Sequence, residues 1–146
     1  MGAMRPVLFL LAFVPAVSSA GEFWAVLTTT SYHFNRSASL NENNVGVGAE
    51  YSLSDNNRLI AGEFNNSYDR TSFYGGATLL TNQWTGFRLA ASLGFLSGYE
   101  NVPGFVLPAI VWEGDRFGAN LIYFPKCNTC SKTSSSGIAL QLKARF

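Results

Sequence analysis

The chain has 146 residues, with 10 Lys and Arg against 9 Asp and Glu, a balance that excludes a charge-driven search for nucleic acid or for an acidic partner. Twelve Phe, six Tyr and three Trp beside only two Cys argue against a small secreted domain held by several disulfides. Many aromatics and few charges fit an exported barrel better than a soluble globule.

Met1 to Ala20 reads as a secretory signal: one charge at Arg5, an apolar stretch from Pro6 to Val17, and small residues Ser18-Ser19-Ala20 at the cleavage position. Cleavage after Ala20 leaves Gly21 to Phe146 as a single mature domain. No apolar run reaches the roughly 20 residues that a membrane helix needs.

Turn signals then divide the chain into eight stretches long enough for tilted membrane β-strands: Phe23 to Phe34, Val45 to Ser54, Arg58 to Asn66, Arg70 to Leu80, Phe87 to Gly98, Phe105 to Glu113, Arg116 to Pro125 and Gly137 to Phe146. The last is the plainest. Ile138, Leu140, Leu142, Ala144 and Phe146 alternate with Gly137, Ala139, Gln141, Lys143 and Arg145, which is the period of a strand with one apolar and one polar face. Short connections at Ser54 to Asn57, Thr81 to Gly86 and Glu113 to Asp115 alternate with longer ones, as in an outer-membrane barrel whose termini are periplasmic. The expected fold is all-β, an eight-stranded antiparallel transmembrane β-barrel.

Parity assigns the faces. Val45, Val47, Ala49, Tyr51 and Leu53 face outward, as do alternate residues of the fifth and seventh strands, while Glu50, Arg58, Arg88, Arg116, Lys143 and Arg145 are expected inside at the periplasmic end. There they pair and close the floor, away from lipid. Gly46, Gly48, Gly62, Gly76, Gly94, Gly98, Gly118 and Gly137 share inward parity. Two explanations compete: relief of curvature in a narrow barrel, or a slot for a hydrocarbon chain bordered by Leu27, Ile60, Phe64, Leu96 and Ile122.

The single histidine, His33, falls at the external end of the first strand with inward parity, at the same barrel height as Ser67. An imidazole beside a hydroxyl is the minimum apparatus for acyl transfer, because it accepts the proton as the hydroxyl attacks. In order along the chain stand Tyr32-His33-Phe34, Asn41-Glu42 with Gly46 and Gly48, Phe64-Asn65-Asn66-Ser67, Leu107-Pro108, Tyr123-Phe124-Pro125 and the terminal Arg145-Phe146. Together they resemble the lipid A palmitoyltransferase (PagP) family.

The resemblance implies an outer-membrane acyltransferase that moves a fatty acyl chain from a phospholipid to lipid A. It puts His33, Ser67 and Asn66 at the catalytic positions, and it makes Pro108 and Pro125 the prolines that open strand pairing for lateral lipid access. Asn66 stands where the family has aspartate, so Asp69 or Glu42 is the candidate substitute. The helix that precedes the family's first strand is absent, and Thr28 stands where the family has proline.

Cys127-Asn128-Thr129-Cys130 lies in the last external loop. No thioredoxin-like setting and no further metal ligands accompany it, so a loop-closing disulfide is the favoured state and two free thiols the alternative. The expectations are thus a membrane-embedded monomer, no cofactor, no metal, no nucleic-acid partner, and phospholipid and lipid A as lipid partners. A non-catalytic barrel that binds or masks a surface partner, and a lipid A deacylase, are the alternatives.

Overall fold

The computed structural model describes residues 21–102, 104–127 and 134–146. The expected leader therefore lies outside the described residues, as does Cys130. Eight strands form: β1 (Phe23–His33), β2 (Asn43–Ser54), β3 (Asn57–Asn65), β4 (Thr71–Leu80), β5 (Phe87–Leu96), β6 (Gly104–Glu113), β7 (Phe117–Phe124) and β8 (Gly137–Arg145). Each pairs antiparallel with the next and β8 returns to β1, so the sheet is a closed barrel of the outer-membrane type. Connections 55–56, 81–86 and 114–116 share the lower end with both termini, while the upper end carries 34–42, 66–70, 97–103 and 125–136, all but 66–70 longer than any lower one.

The outer face follows the expected alternation. Exposed Trp112, Phe117, Phe87 and Phe146 ring the lower end; Tyr32, Phe73, Phe95 and Tyr123 ring the upper, with Val47, Leu93, Leu121 and Leu142 between. Two aromatic girdles about an aliphatic band form the surface that an interfacial solvent demands. Glu63 is an outward charge, paired across the sheet with Val47 and Phe73, and it stands two residues below the upper end of β3.

The face of β1 changes along its length. Register shifts between Thr28 and Thr30 against both neighbours. Against β8 two steps of β1 meet one, so Thr29 is the extra residue of a bulge, whereas against β2 two steps of β1 meet three from Gly46 to Asn43, so there the extra residue is on β2. Below it Trp24, Val26 and Thr28 are buried; above it Ser31 and His33 are. Leu27 consequently faces outward with 44 % of its surface exposed and does not border an interior slot, contrary to the parity expectation. The bulge delivers His33 inward and Tyr32 outward.

At the lower end an ion cluster closes the interior. Arg58 Nη1 donates to Glu50 Oε2 at 2.9 Å and Arg58 Nη2 to Glu113 Oε2 at 3.0 Å, while Lys143 Nζ reaches Glu50 Oε2 at 3.1 Å and Glu113 Oε1 at 2.7 Å. Arg88 joins at 3.8 Å from Glu113. Trp24, almost wholly buried, lies 4.9 Å below Lys143 Nζ and 5.9 Å from the Arg58 guanidinium, a cation–π platform. Arg145 covers the same ring at 5.6 Å and pairs with Glu22 at 2.7 Å. Arg116 is exposed in the 114–116 turn and does not enter the floor. It precedes the first inward position of β7, and its carbonyl accepts the Arg145 N–H at 2.8 Å.

The inward glycines serve close approach between strands. A Cβ on Gly76 would stand 2.1 Å from the Leu93 carbonyl oxygen, one on Gly94 2.1 Å from that of Gly75, and one on Gly46 2.1 Å from that of Glu63. Gly48 and Gly62 pair with each other, and their missing side chains make room for the Tyr74 hydroxyl. None of these five glycines lines the interior cavity, so curvature explains them and a glycine-lined slot does not. Gly76→Val or Gly94→Val is expected to reduce the yield of folded barrel, through overpacking worth about 1–3 kcal/mol. Migration on unboiled gels checks this; normal folding with a shortened acyl preference would restore the slot.

Pairing between β6 and β7 stops halfway. It runs from Glu113↔Gly118 up to Ala109↔Ile122 and ends there, although β6 continues to Gly104 against β5 and β7 to Phe124 against β8. The stop falls at Pro108, which has no N–H to donate, and Pro125 terminates β7 opposite. The upper wall therefore has a vertical opening between these strands.

Candidate active site

The bulge in β1 and the turn after β3 bring His33 and Ser67 together. His33 is 3 % exposed, and its Nε2 lies 2.9 Å from Ser67 Oγ. With the Ser67 hydroxyl donating to Nε2, the ring proton sits on Nδ1. Phe124 packs edge-on against the imidazole at 5.3 Å and fixes its plane.

Glu42 supplies the carboxylate. Its Oε1 lies 3.6 Å from His33 Nδ1, accepts the His33 backbone N–H at 2.9 Å, and accepts a short hydrogen bond from Arg36. The His33 N–H and the Arg36 guanidinium hold the Glu42 carboxyl below the usual carboxylate range. Asp69, the other candidate acid, instead takes a hydrogen bond from Asn65 at 3.3 Å.

The Ser67 turn is clamped from the first loop. Asn41 N–H donates to the Ser67 carbonyl at 2.9 Å, and Asn41 Nδ2 to the Asn66 carbonyl at 3.0 Å. Tyr99 stands near Ser67; burial raises its phenol above the ordinary range, with the polar influence of Ser67 pulling the other way. Its O–H thus stays protonated near Ser67 at neutral pH.

Asn66 is near this group but bonded elsewhere. Its Oδ1 accepts from Tyr68 N at 2.8 Å and Arg70 N at 3.1 Å, and its Nδ2 donates to Ser72 Oγ at 2.9 Å and the Gly98 carbonyl at 3.0 Å. All four sites of the amide are used, so the side chain ties the β3–β4 turn to the loop above β5. Asn66→Asp is expected to lose both donated bonds and set a carboxylate against the Gly98 carbonyl, destabilising the barrel by about 1–3 kcal/mol. Chemical denaturation checks this, and raised activity with an unchanged midpoint in Asn66→Asp would return position 66 to the catalytic group.

A cavity of about 470 Å³ runs inside the barrel from His33 and Ser67 down to Glu50 and Arg58. Phe64, Leu96, Leu107 and Ile122 give it an apolar upper part; Thr78, Ser92, Asn120 and Gln141 give it a polar base. Ile60, Phe64, Leu96 and Ile122 line it as expected, and so does Pro125, while Pro108 does not. Val106 and Leu107 on one side of the β6–β7 opening and Phe124 and Pro125 on the other share the lining.

Cys127 is disulfide-bonded; the chain's other cysteine is Cys130, which lies outside the described residues. Among the described residues no cluster of His, Cys, Asp or Glu is suited to hold a metal ion. Parity and barrel height place His33 and Ser67 at the same end of the barrel from sequence but do not show their contact, whereas Tyr99 carries no sequence signal that separates it from a girdle tyrosine. No family model matches the chain, and no curated protein matches it.

Proposed function

We propose that the protein is an outer-membrane lipid acyltransferase of the PagP kind, moving a fatty acyl chain from a phospholipid to lipid A at the outer leaflet. The observation that carries the reading is the 2.9 Å contact between His33 Nε2 and Ser67 Oγ at the mouth of an internal, partly apolar cavity. A barrel that only masks a surface partner has no need of a buried imidazole aimed at a serine above such a cavity.

The chemistry proceeds in two balanced steps. Ser67 Oγ attacks the ester carbonyl while Nε2 takes its proton. The tetrahedral oxyanion is met by the Tyr99 hydroxyl, and collapse expels the glycerol alkoxide, which recovers the proton from Nε2. An acceptor hydroxyl of lipid A then attacks the acyl-serine, again losing its proton to His33, and Ser67 leaves with that proton restored. The opening above Pro108 admits lipid sideways, its ester at the rim and its tail in the cavity.

Mass spectrometry of lipid A from cells with and without the protein tests the reading. An added acyl chain is expected. A lost chain would make it a deacylase, with water as acceptor, and no change in a competent membrane would favour the non-catalytic barrel.

A further inference from the structure

Glu42 is engaged from two sides, and the group that needs it most for catalysis is left short. Oε1 serves the His33 backbone N–H and the Arg36 guanidinium, while His33 Nδ1, buried, has no hydrogen-bond partner. At 3.6 Å the Nδ1 to carboxylate distance is beyond a hydrogen bond. A base whose second nitrogen is unsupported neither keeps the productive tautomer nor stabilises the imidazolium.

Arg36 is the movable partner. Its side chain is 59 % exposed against 3 % for His33. It belongs to a three-residue 3-10 turn, Arg36–Ala38, on the upper rim, and it rests 4.8 Å over the ring of the outward-facing Tyr32. Its guanidinium thus lies beside a girdle tyrosine, at the height where amphiphile head groups reside. Lys126 adds a second cation at the cavity mouth. A guanidinium matches phosphate with paired donors, and an exposed one is free to exchange a shared carboxylate for it.

We propose that Arg36 recognises the phosphate of an amphiphile at the rim, and that binding releases Glu42 to close on His33 Nδ1. No covalent bond changes; the guanidinium exchanges a carboxylate for a phosphate, and the freed carboxylate gains the imidazole N–H. Phosphate recognition thereby becomes the event that readies the base. The purpose of the device rests on the proposed acyl transfer, but its operation is measurable on the imidazole alone.

The single histidine makes the test direct. Protein labelled with 15N-histidine, free of any histidine tag and held in dodecyl maltoside, reports Nδ1 in one residue's resonances. Hexadecyl phosphate is expected to move that resonance saturably toward a hydrogen-bonded N–H, and hexadecanol is expected to leave it unmoved. Arg36→Ala should show the moved resonance without ligand and bind hexadecyl phosphate about tenfold more weakly, the effect of one lost charge-assisted hydrogen bond. Glu42→Gln, folded by gel migration, should show no movement.

An unmoved Nδ1 in the parent, an equal response to hexadecanol, or a parent-like response from Arg36→Ala would each overturn the proposal. Full movement with inorganic phosphate alone would overturn the amphiphile as ligand in favour of a free anion. A moved imidazole with unaltered lipid A would leave the latch standing and sink the transferase reading.

Discussion

Replacing Ser67 by alanine is expected to lower the proposed acyl transfer by about four to six orders of magnitude while leaving the barrel folded. The serine oxygen would be the atom that carries the acyl group, and no other hydroxyl is hydrogen-bonded to the His33 ring among the described residues. His33→Ala should cost as much, because without Nε2 neither the attacking serine nor the incoming acceptor loses its proton. Tyr99→Phe removes only the proposed oxyanion donor and should cost about 10²- to 10³-fold in kcat. All three lie at the upper rim, far from the ion cluster that holds the base, so unboiled samples should keep the folded migration. The measurement is the acylated fraction of lipid A by mass spectrometry over a time course. Transfer that survives Ser67→Ala would show that the serine is only a hydrogen-bonding neighbour of the histidine.

Glu113→Ala is expected to produce the largest loss of stability, about 3–5 kcal/mol. Lys143, with a side chain 0 % exposed, and Arg58, at 3 %, share Glu113 and Glu50 between them. Deleting one carboxylate leaves two buried cations on the other with Arg88 nearby, and desolvation that was offset becomes uncompensated. Removing the opposing charge as well, in Glu113→Leu with Lys143→Met, should restore a large part of the loss, since an apolar replacement of a buried pair is often neutral. Urea midpoints in detergent or vesicles measure both. A loss below about 1 kcal/mol would mean that the floor is as well screened as a surface ion pair.

The strands were readable because each must satisfy two media at once, and alternation such as Ile138 to Phe146 leaves little freedom in where a strand lies. The common height and facing of His33 and Ser67 were readable for the same reason, whereas their contact depends on the tertiary structure. What escaped was local phase. Nothing in Thr28-Thr29-Thr30 announces an inserted residue, and a strict period carried through it turns Leu27 inward and Trp24 outward, the reverse of what is found. Glycine parity was legible but its cause stayed open between slot and curvature, because a pattern of missing side chains reads the same for an empty slot and for a strand pressed against its neighbour. Asn66 looked like a degraded acid only against the family pattern; its saturated hydrogen bonding depends on Ser72 and Gly98, whose approach is set by tertiary structure.

The incomplete β6–β7 seam divides the molecule mechanically. Below Ala109↔Ile122 the wall is a continuous hoop braced by an internal ionic strut, and above it the same wall is a slit tube. A slit tube yields readily to spreading and twisting where a hoop does not, so the upper half can flex outward while the lower half acts as its clamped base. Amide hydrogen exchange should register the divide, with fast exchange at those amides of Phe105 to Leu107 that face the opening rather than β5, and strong protection at Ile110 to Trp112. Compliance is thereby confined to the end where a bulky molecule would have to pass, and tightness to the end where leakage would matter.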